Sequence, residues 1–339
     1  MPSPAVYRSL RVPLLFLVAI ILITACGSPD PSIDGVEDPQ TGAEPGGKIL
    51  FVADGNVMRW DGRIQRLTEG VHAASPTWAP AGDRFAYVQM HDGWSELVVA
   101  DRDGNTLVQV TNNEPADVPF SQEFAFNAAW ALDPVWSPAG EQLAFISDLG
   151  GYDEFSDPMT IWYSETWEVP PYPLNAALAI AESQEAPTFS PDGNMVAFVV
   201  RIKVSDSIRN TEIWTLDLNT AESTVLVSGP EAAYDPVWSP DGADVAFIQR
   251  SGSANDVWIA PLDGRAPYKL TNIGACVSPV WSPDGNFLAF FRLNEGEFEA
   301  WYVALTRSPD GTISASEPKK LFEADNIDAP SGMSWIAGP

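Results

Sequence analysis

The chain has 339 residues, with 46 acids against 18 lysines and arginines and a formal net charge of −28 at pH 7. So large a negative charge repels nucleic acid and anionic lipid, which removes both as ligands. Two histidines and two cysteines supply little for a zinc site, a disulfide framework or a Ser–His nucleophile pair, whereas 45% hydrophobic residues and 13 tryptophans supply an ample core.

In chain order, residues 1–25 hold no acid, two arginines (Arg8 and Arg11) and an apolar run from Leu14 to Ile23. That run is short of the roughly 20 residues a bilayer-spanning helix needs, and it fits the core of a signal peptide. Ile23-Thr24-Ala25-Cys26-Gly27 follows and matches the bacterial lipobox. Cys26 is therefore expected to be lipidated and to anchor the exported protein to the bacterial cell membrane, with 1–25 cut away as a lipoprotein signal peptide. Residues 26–47 are acidic and rich in proline and glycine, with almost no apolar residues. They are expected to form a disordered tether averaging about 25 Å end to end. Cys276 is then the remaining thiol and reads as a small buried apolar residue.

From residue 48 onward one pattern recurs: SPTWAPAGDRFAYV (75–88), DPVWSPAGEQLAFI (133–146), APTFSPDGNMVAFV (186–199), DPVWSPDGADVAFI (235–248) and SPVWSPDGNFLAFF (278–291). A worn sixth copy, APSGMSWIAGP, ends the chain at 329–339, and the anchoring prolines are spaced 58, 53, 49, 43 and 51 residues apart. Each copy predicts two short strands about a Ser-Pro-Asp-Gly turn, where proline sets φ at the second position and glycine closes the fourth. A third strand follows, as in EIWTLDL (212–218), DVWIAPLDG (256–264) and EAWYVAL (299–305), and then a fourth, as in TLVQVT (106–111), STVLVS (223–228) and YKLTN (268–272). Four short strands per repeat is the anatomy of a propeller blade. Helix signals are nearly absent; the one helix-compatible stretch, Leu174–Glu185, reads in its first half as the outer strand of its blade.

The W-S-P-D-G-x-x-x-A-F signature resembles the WD-like repeats of TolB-type β-propellers over roughly residues 48–339. Ala81 and Ala139 replace the turn aspartate in the first two copies and Phe189 replaces the tryptophan in the third. The expected fold is all-β, a six-bladed propeller. One blade takes Ile49–Ala53, Asn56–Trp60 and Ile64–Thr68 from the front of the chain and Gly332–Ala337 from its end, so that pairing of N- and C-terminal strands closes the ring. The resemblance implies an envelope scaffold whose channel mouth takes a partner peptide. TolB proteins carry an additional N-terminal α/β domain that residues 27–47 are too short to hold, so membership of the Tol system is not implied.

Three insertions interrupt the repeats on the face opposite the Ser-Pro-Asp-Gly turns: 112–133, 147–158 and 201–210. They carry the candidate binding residues Phe120, Phe124, Phe126, Trp130, Tyr152 and Phe155, interleaved with Asp148, Asp153, Glu154 and Asp157. Loop aromatics of this kind are enriched at interfaces, or else fold back as a lid over the channel. The carboxylates of 148–157 match no established calcium-loop spacing, and a solvated acidic loop is the expectation, with no metal and no cofactor. No H-E-x-x-H, G-x-S-x-G, P-loop or Cys–His cluster occurs. Similar propellers form the non-catalytic half of prolyl-oligopeptidase-like peptidases, whose hydrolase domain is missing here. The expected function is a non-catalytic, membrane-anchored, monomeric scaffold binding an envelope protein or peptide; the alternative is a glycan or small-ligand binder that uses the rim aromatics as stacking platforms.

Overall fold

A computed structural model describes residues 44–116, 129–148, 159–165, 170–174, 183–205 and 208–338. Among these described residues the strands form six antiparallel sheets, five of four strands and one of five. Blade 1 contains Ala73–Trp78, Arg84–Met90, Ser95–Asp101 and Thr106–Gln109. Blades 2 to 5 begin with the inner strands Ala131–Trp136, Gln184–Phe189, Ala233–Trp238 and Cys276–Trp281. The sixth blade has the order Ser334–Ile336, Lys48–Ala53, Asn56–Trp60, Ile64–Arg66. Its closure rests on the pairs Lys48↔Ile336, Ile49↔Trp335 and Leu50↔Ser334, reinforced where the Trp335 indole donates to the Gly46 carbonyl at 2.9 Å. The six-bladed, end-to-end closure expected from the repeats is the observed fold.

The repeat motif is explained by packing between blades. Each turn closes through the glycine N–H onto the carbonyl of the first turn residue, as from Gly242 to Ser239 at 2.9 Å. These glycines sit at positive φ, +71° at Gly242, where a side chain is strained. A Cβ built on Gly140, Gly193, Gly242 or Gly285 would lie 3.4–3.9 Å from Pro80, Pro138, Pro191 or Pro240 of the preceding blade, so turn stacks on turn around the ring. The tryptophans span the same seams. Trp136, Trp238 and Trp281 donate their indole N–H groups to Thr77, Thr188 and Val237 carbonyls of the preceding inner strand, each at 3.1 Å. Phe189 fills that slot in blade 3 and stacks against Tyr163 instead. The turn aspartate, where present, accepts from the serine two residues before it at 2.6 Å. The Ser190 hydroxyl, with the backbone and side chain of Asn194, holds the Asp192 carboxyl down at about 2.

Three details depart from the sequence reading. RIKVSDSIRN (201–210) is not a loop insertion: Met195–Ser205 and Ile208–Asp217 continue as one long hairpin, with Arg201↔Thr211, Ile202↔Asn210 and Lys203↔Arg209 paired. The alternation of polar and β-branched residues there keeps the strand period beyond the blade. In blade 2 the outer strand is Tyr172–Pro173, just ahead of Leu174, and Gln184–Glu185 already belong to the next inner strand, while 175–182 lie outside the described residues. In blade 5 the fourth strand is split into Ile313–Ala315 and Lys319–Glu323, both paired to Glu297–Arg307. A further Ser-Pro-Asp-Gly turn, at 308–311, caps this hairpin without a preceding tryptophan, its Gly311 N–H bonding Ser308 at 2.9 Å. Arg307 beside it reaches across to blade 4 and pairs with Asp244 at 2.7 Å and Asp241 at 3.0 Å.

Candidate functional site

Two regions stand apart from the repeat. At the rim, the two large insertions meet at their bases. The Trp130 N–H, at the end of one, donates to Asp148 Oδ1, at the start of the other, at 2.8 Å. Both residues are half-buried. The first insertion is also clamped at each end to the third strand of blade 1. On entry, the Asn113 N–H donates to Glu96 Oε1 at 2.8 Å and the Thr111 hydroxyl donates to Glu96 Oε2. On exit, the Ala131 N–H donates to the Ser95 hydroxyl at 2.8 Å, and Ser95 N–H donates to the Ala129 carbonyl at 3.2 Å. Glu96 is buried, and that burial pushes its carboxyl above the usual range despite the hydrogen bonds from Thr111 and Asn113.

The sequence reading missed this clamp. Blade 4 repeats it: Asp256 accepts from Thr271 Oγ1 at 3.2 Å and from the Ile273 and Gly274 N–H groups at 2.9 and 3.0 Å. A signal was present, an acid opening the third strand fifteen residues ahead of a Thr-Asn pair, in Glu96/Thr111 and Asp256/Thr271 alike. Of the other candidates, Phe120, Phe124, Phe126, Tyr152, Asp153, Glu154, Phe155, Asp157 and Cys26 lie outside the described residues. His91, in the second-to-third strand loop of blade 1, stacks flat on Trp94 with ring centroids 3.8 Å apart.

The second region is the central channel, a cavity of about 370 Å³ built from the inner strands. Its wall is layered. The residues preceding the repeat prolines, Ser75, Asp133, Ala186, Asp235 and Ser278, all adopt the left-handed region with φ of 45° to 52°. Each lies where the inner pair shifts register, since proline offers no N–H to the ladder. That bulge turns backbone and side chains towards the neighbouring blade. Asp133 accepts from the Ser75 hydroxyl at 3.2 Å and the Ala186 N–H at 3.3 Å; Asp235 accepts from the Ser278 N–H at 3.0 Å through Oδ2; the Ser278 hydroxyl donates to the Ala329 carbonyl at 2.8 Å. Two aspartates thus staple adjacent inner strands. Burial, then the Asp133 and Glu185 carboxylates, push the Asp235 carboxyl up to about 6, and burial raises Asp133 as well. Two residues further along the first five inner strands the wall is formed by Thr77, Val135, Thr188, Val237 and Val280, with Met333 just ahead of the sixth, and the lining ends at Pro240, Ser282 and Pro283 on the turn face.

Among the described residues no group of three or more His, Cys, Asp or Glu side chains is arranged to hold a metal, and no helix is long and apolar enough to cross a membrane.

The repeat signature, the six closed blades and the channel coincide with a match of residues 175–320 to the family model for the TolB beta propeller domain (PD40). The fold is a six-bladed β-propeller, and the matched segment lies within it. TolB from Acinetobacter baumannii superimposes with a TM-score of 0.60 at 17% identity, covering 86% of this chain and 67% of that one, a likeness that bears on the fold alone. Among curated proteins, this chain is 37% identical over 94 residues to the uncharacterized peptidase YuxL of Bacillus subtilis, which is 27% of this chain and 14% of that one. It is 26% identical over 235 residues to dipeptidyl-peptidase 5 of Porphyromonas endodontalis, 56% of this chain and 32% of that one. The chain therefore corresponds to a third or less of the length of these peptidases.

Proposed function

We propose that this propeller is a non-catalytic scaffold of the bacterial cell envelope, lipid-anchored through Cys26, that binds a protein partner at the rim formed by the insertions 112–133 and 147–158. The observation that carries the reading is the bond from Trp130 to Asp148, which joins the bases of the two insertions at one end of the inner hairpin of blade 2. The hydrogen bonds of Ser95 and Glu96 support it further, because they fix Asn113 and Ala129, on either side of the first insertion, against blade 1. The propeller scaffold accounts for the regular residues by packing, which leaves these interruptions as the part free to specify a partner. The peptidase matches fit a propeller that accompanies catalysis in other proteins, and binding is the role assigned to it here. Capture from envelope extracts tests the reading: the full chain, solubilised in non-ionic detergent, is compared with a variant whose two insertions are shortened only between Asn113 and Ala129 and between Asp148 and Met159. A partner lost with the insertions supports the rim; a partner retained by both forms overturns it.

A further inference from the structure

We infer that the seam between blades 4 and 5 on the turn face is a second binding site, which takes one neutral, hydroxyl-rich ring of the monosaccharide class. The site exists because blade 5 departs from the repeat. Its split fourth strand lets the hairpin of Glu297–Arg307 and Ile313–Ala315 reach across to blade 4, where Arg265 Nη1 donates to the Thr312 hydroxyl at 3.0 Å and the Ile313 N–H donates to the Tyr268 hydroxyl at 2.8 Å. This hairpin and the Ser-Pro-Asp-Gly turns of the two blades enclose a cavity of about 360 Å³. That volume is at the small end of the roughly 300–1,000 Å³ usual for ligand pockets, so it suits a single ring rather than a chain. The insertions of the rim lie on the opposite face and contribute nothing to its lining.

The wall selects the ligand by the hydrogen bonds it leaves to be made. Pro240, Trp281, Leu305 and Ile313 supply apolar lining, and Asp241, Asp284, Asn286 and Arg307 supply polar lining. Arg307 is fixed in place: Nη1 pairs with Asp244 at 2.7 Å and donates to the Gly311 carbonyl at 3.1 Å, while Nη2 donates to Asp241 Oδ2 at 3.0 Å. Its Nε hydrogen and second Nη2 hydrogen have no protein partner among the described residues. Asn286 gives one Nδ2 hydrogen to Asp284 Oδ2 at 2.8 Å and keeps the other, together with its side-chain oxygen. Asp241 Oδ2 and Asp284 Oδ2 each accept one bond and retain a lone pair. Donors and acceptors are thus offered together, and a hydroxyl, which both donates and accepts, satisfies such a mixture. Charged ligands fit it less well: a carboxylate or phosphate meets Asp241 and Asp284, and an ammonium meets the Arg307 guanidinium. The apolar residues take the C–H face of the ring.

The test uses the full chain in a polyoxyethylene detergent, with binding followed by saturation-transfer NMR at pH 6.5. The neutral probes are glucose, galactose, mannose and N-acetylglucosamine; glucosamine and glucuronate keep the ring and add a positive or a negative charge. At least one neutral sugar is expected to bind saturably, and both charged sugars about tenfold more weakly than it does. Asp284→Ala with Asn286→Ala is expected to weaken the neutral sugar about tenfold. The melting midpoint should be retained, because alanine stands at the same turn positions in other blades, as Ala81, Ala139 and Ala243. The matching pair in blade 3, Asp192→Ala with Asn194→Ala, is outside the cavity and should leave binding unchanged. Saturable binding by none of the neutral sugars, or equal binding of glucosamine or glucuronate, overturns the ligand class. Equal binding by the blade 5 variant, or an equal loss in the blade 3 variant, overturns the site. The form with shortened insertions should bind the sugar as the parent does, so loss of the sugar with the insertions sinks the seam, while loss of a protein partner alone bears only on the rim.

Discussion

Replacing Asp235 by asparagine probes the channel wall through its pH dependence. In the folded protein the Asp235 carboxyl titrates at about 6, against an ordinary 3.8, because burial and the Asp133 and Glu185 carboxylates disfavour its charge. The native state therefore binds more protons than the unfolded chain between those two values, and stability falls as pH rises through that window. The difference corresponds to about 3 kcal/mol, fully expressed above pH 6 and absent below 3.8. Asparagine keeps a carbonyl oxygen for the Ser278 N–H and carries no charge at any pH. The stability of Asp235→Asn relative to the parent should accordingly rise by about 3 kcal/mol between pH 3.8 and pH 7.5, whatever constant offset the amide introduces. Urea unfolding of both proteins across that range measures it. A difference that stays flat with pH would mean that the Asp235 charge is compensated in the native state, and the channel electrostatics described above would be wrong.

Other substitutions test the packing. Trp238→Phe removes the indole bond to the half-buried Thr188 carbonyl, so a loss of about 1 kcal/mol is expected by urea unfolding. The same change is tolerated naturally at Phe189, so the fold itself should persist in far-ultraviolet circular dichroism. Trp335→Ala should cost about 3–5 kcal/mol, because this buried indole packs at the closing seam and bonds Gly46; an unchanged melting midpoint would refute closure through the chain ends. Cys276 is fully buried, and that burial pushes its thiol up to about 12, so it should ignore a disulfide reagent in the native protein and react once urea unfolds the chain.

Blade count and closure were legible because the motif marks a fixed point in every blade. Proline, turn and tryptophan each serve a contact that recurs, so five clear copies and a worn sixth define the ring. The outer strands were less legible. Tyr172–Pro173 and Tyr268–Lys269 pair over two residues each, too short to show a period of two. The long hairpin through Arg201 and Asn210 runs beyond the length the repeat defines, so the repeat alone places it among the insertions although Arg201–Ser205 alternate as a strand does. At the candidate sites, spacing singled out Trp130 and Asp148 as members of interrupting segments, and the structure joins them. It could not reveal that Asp133 and Asp235 face one channel, since the left-handed bulge before each proline, which aims them, depends on the neighbouring blade donating the bond. Glu96 and Asp256 were hidden for the same reason: an acid opening a strand looks solvated until the Thr-Asn link folds back onto it.

The measurement closest to the central claim is capture of envelope proteins by the full chain beside a form shortened only between Asn113 and Ala129 and between Asp148 and Met159, which keeps the blade 2 strands, read by mass spectrometry. The account predicts one partner enriched with the intact protein and lost with the shortened insertions, while the melting midpoints of the two forms agree. The same partner recovered equally by both, or no partner by either while cell-wall sugars shift the melting midpoint of the intact form, would contradict a protein-binding rim.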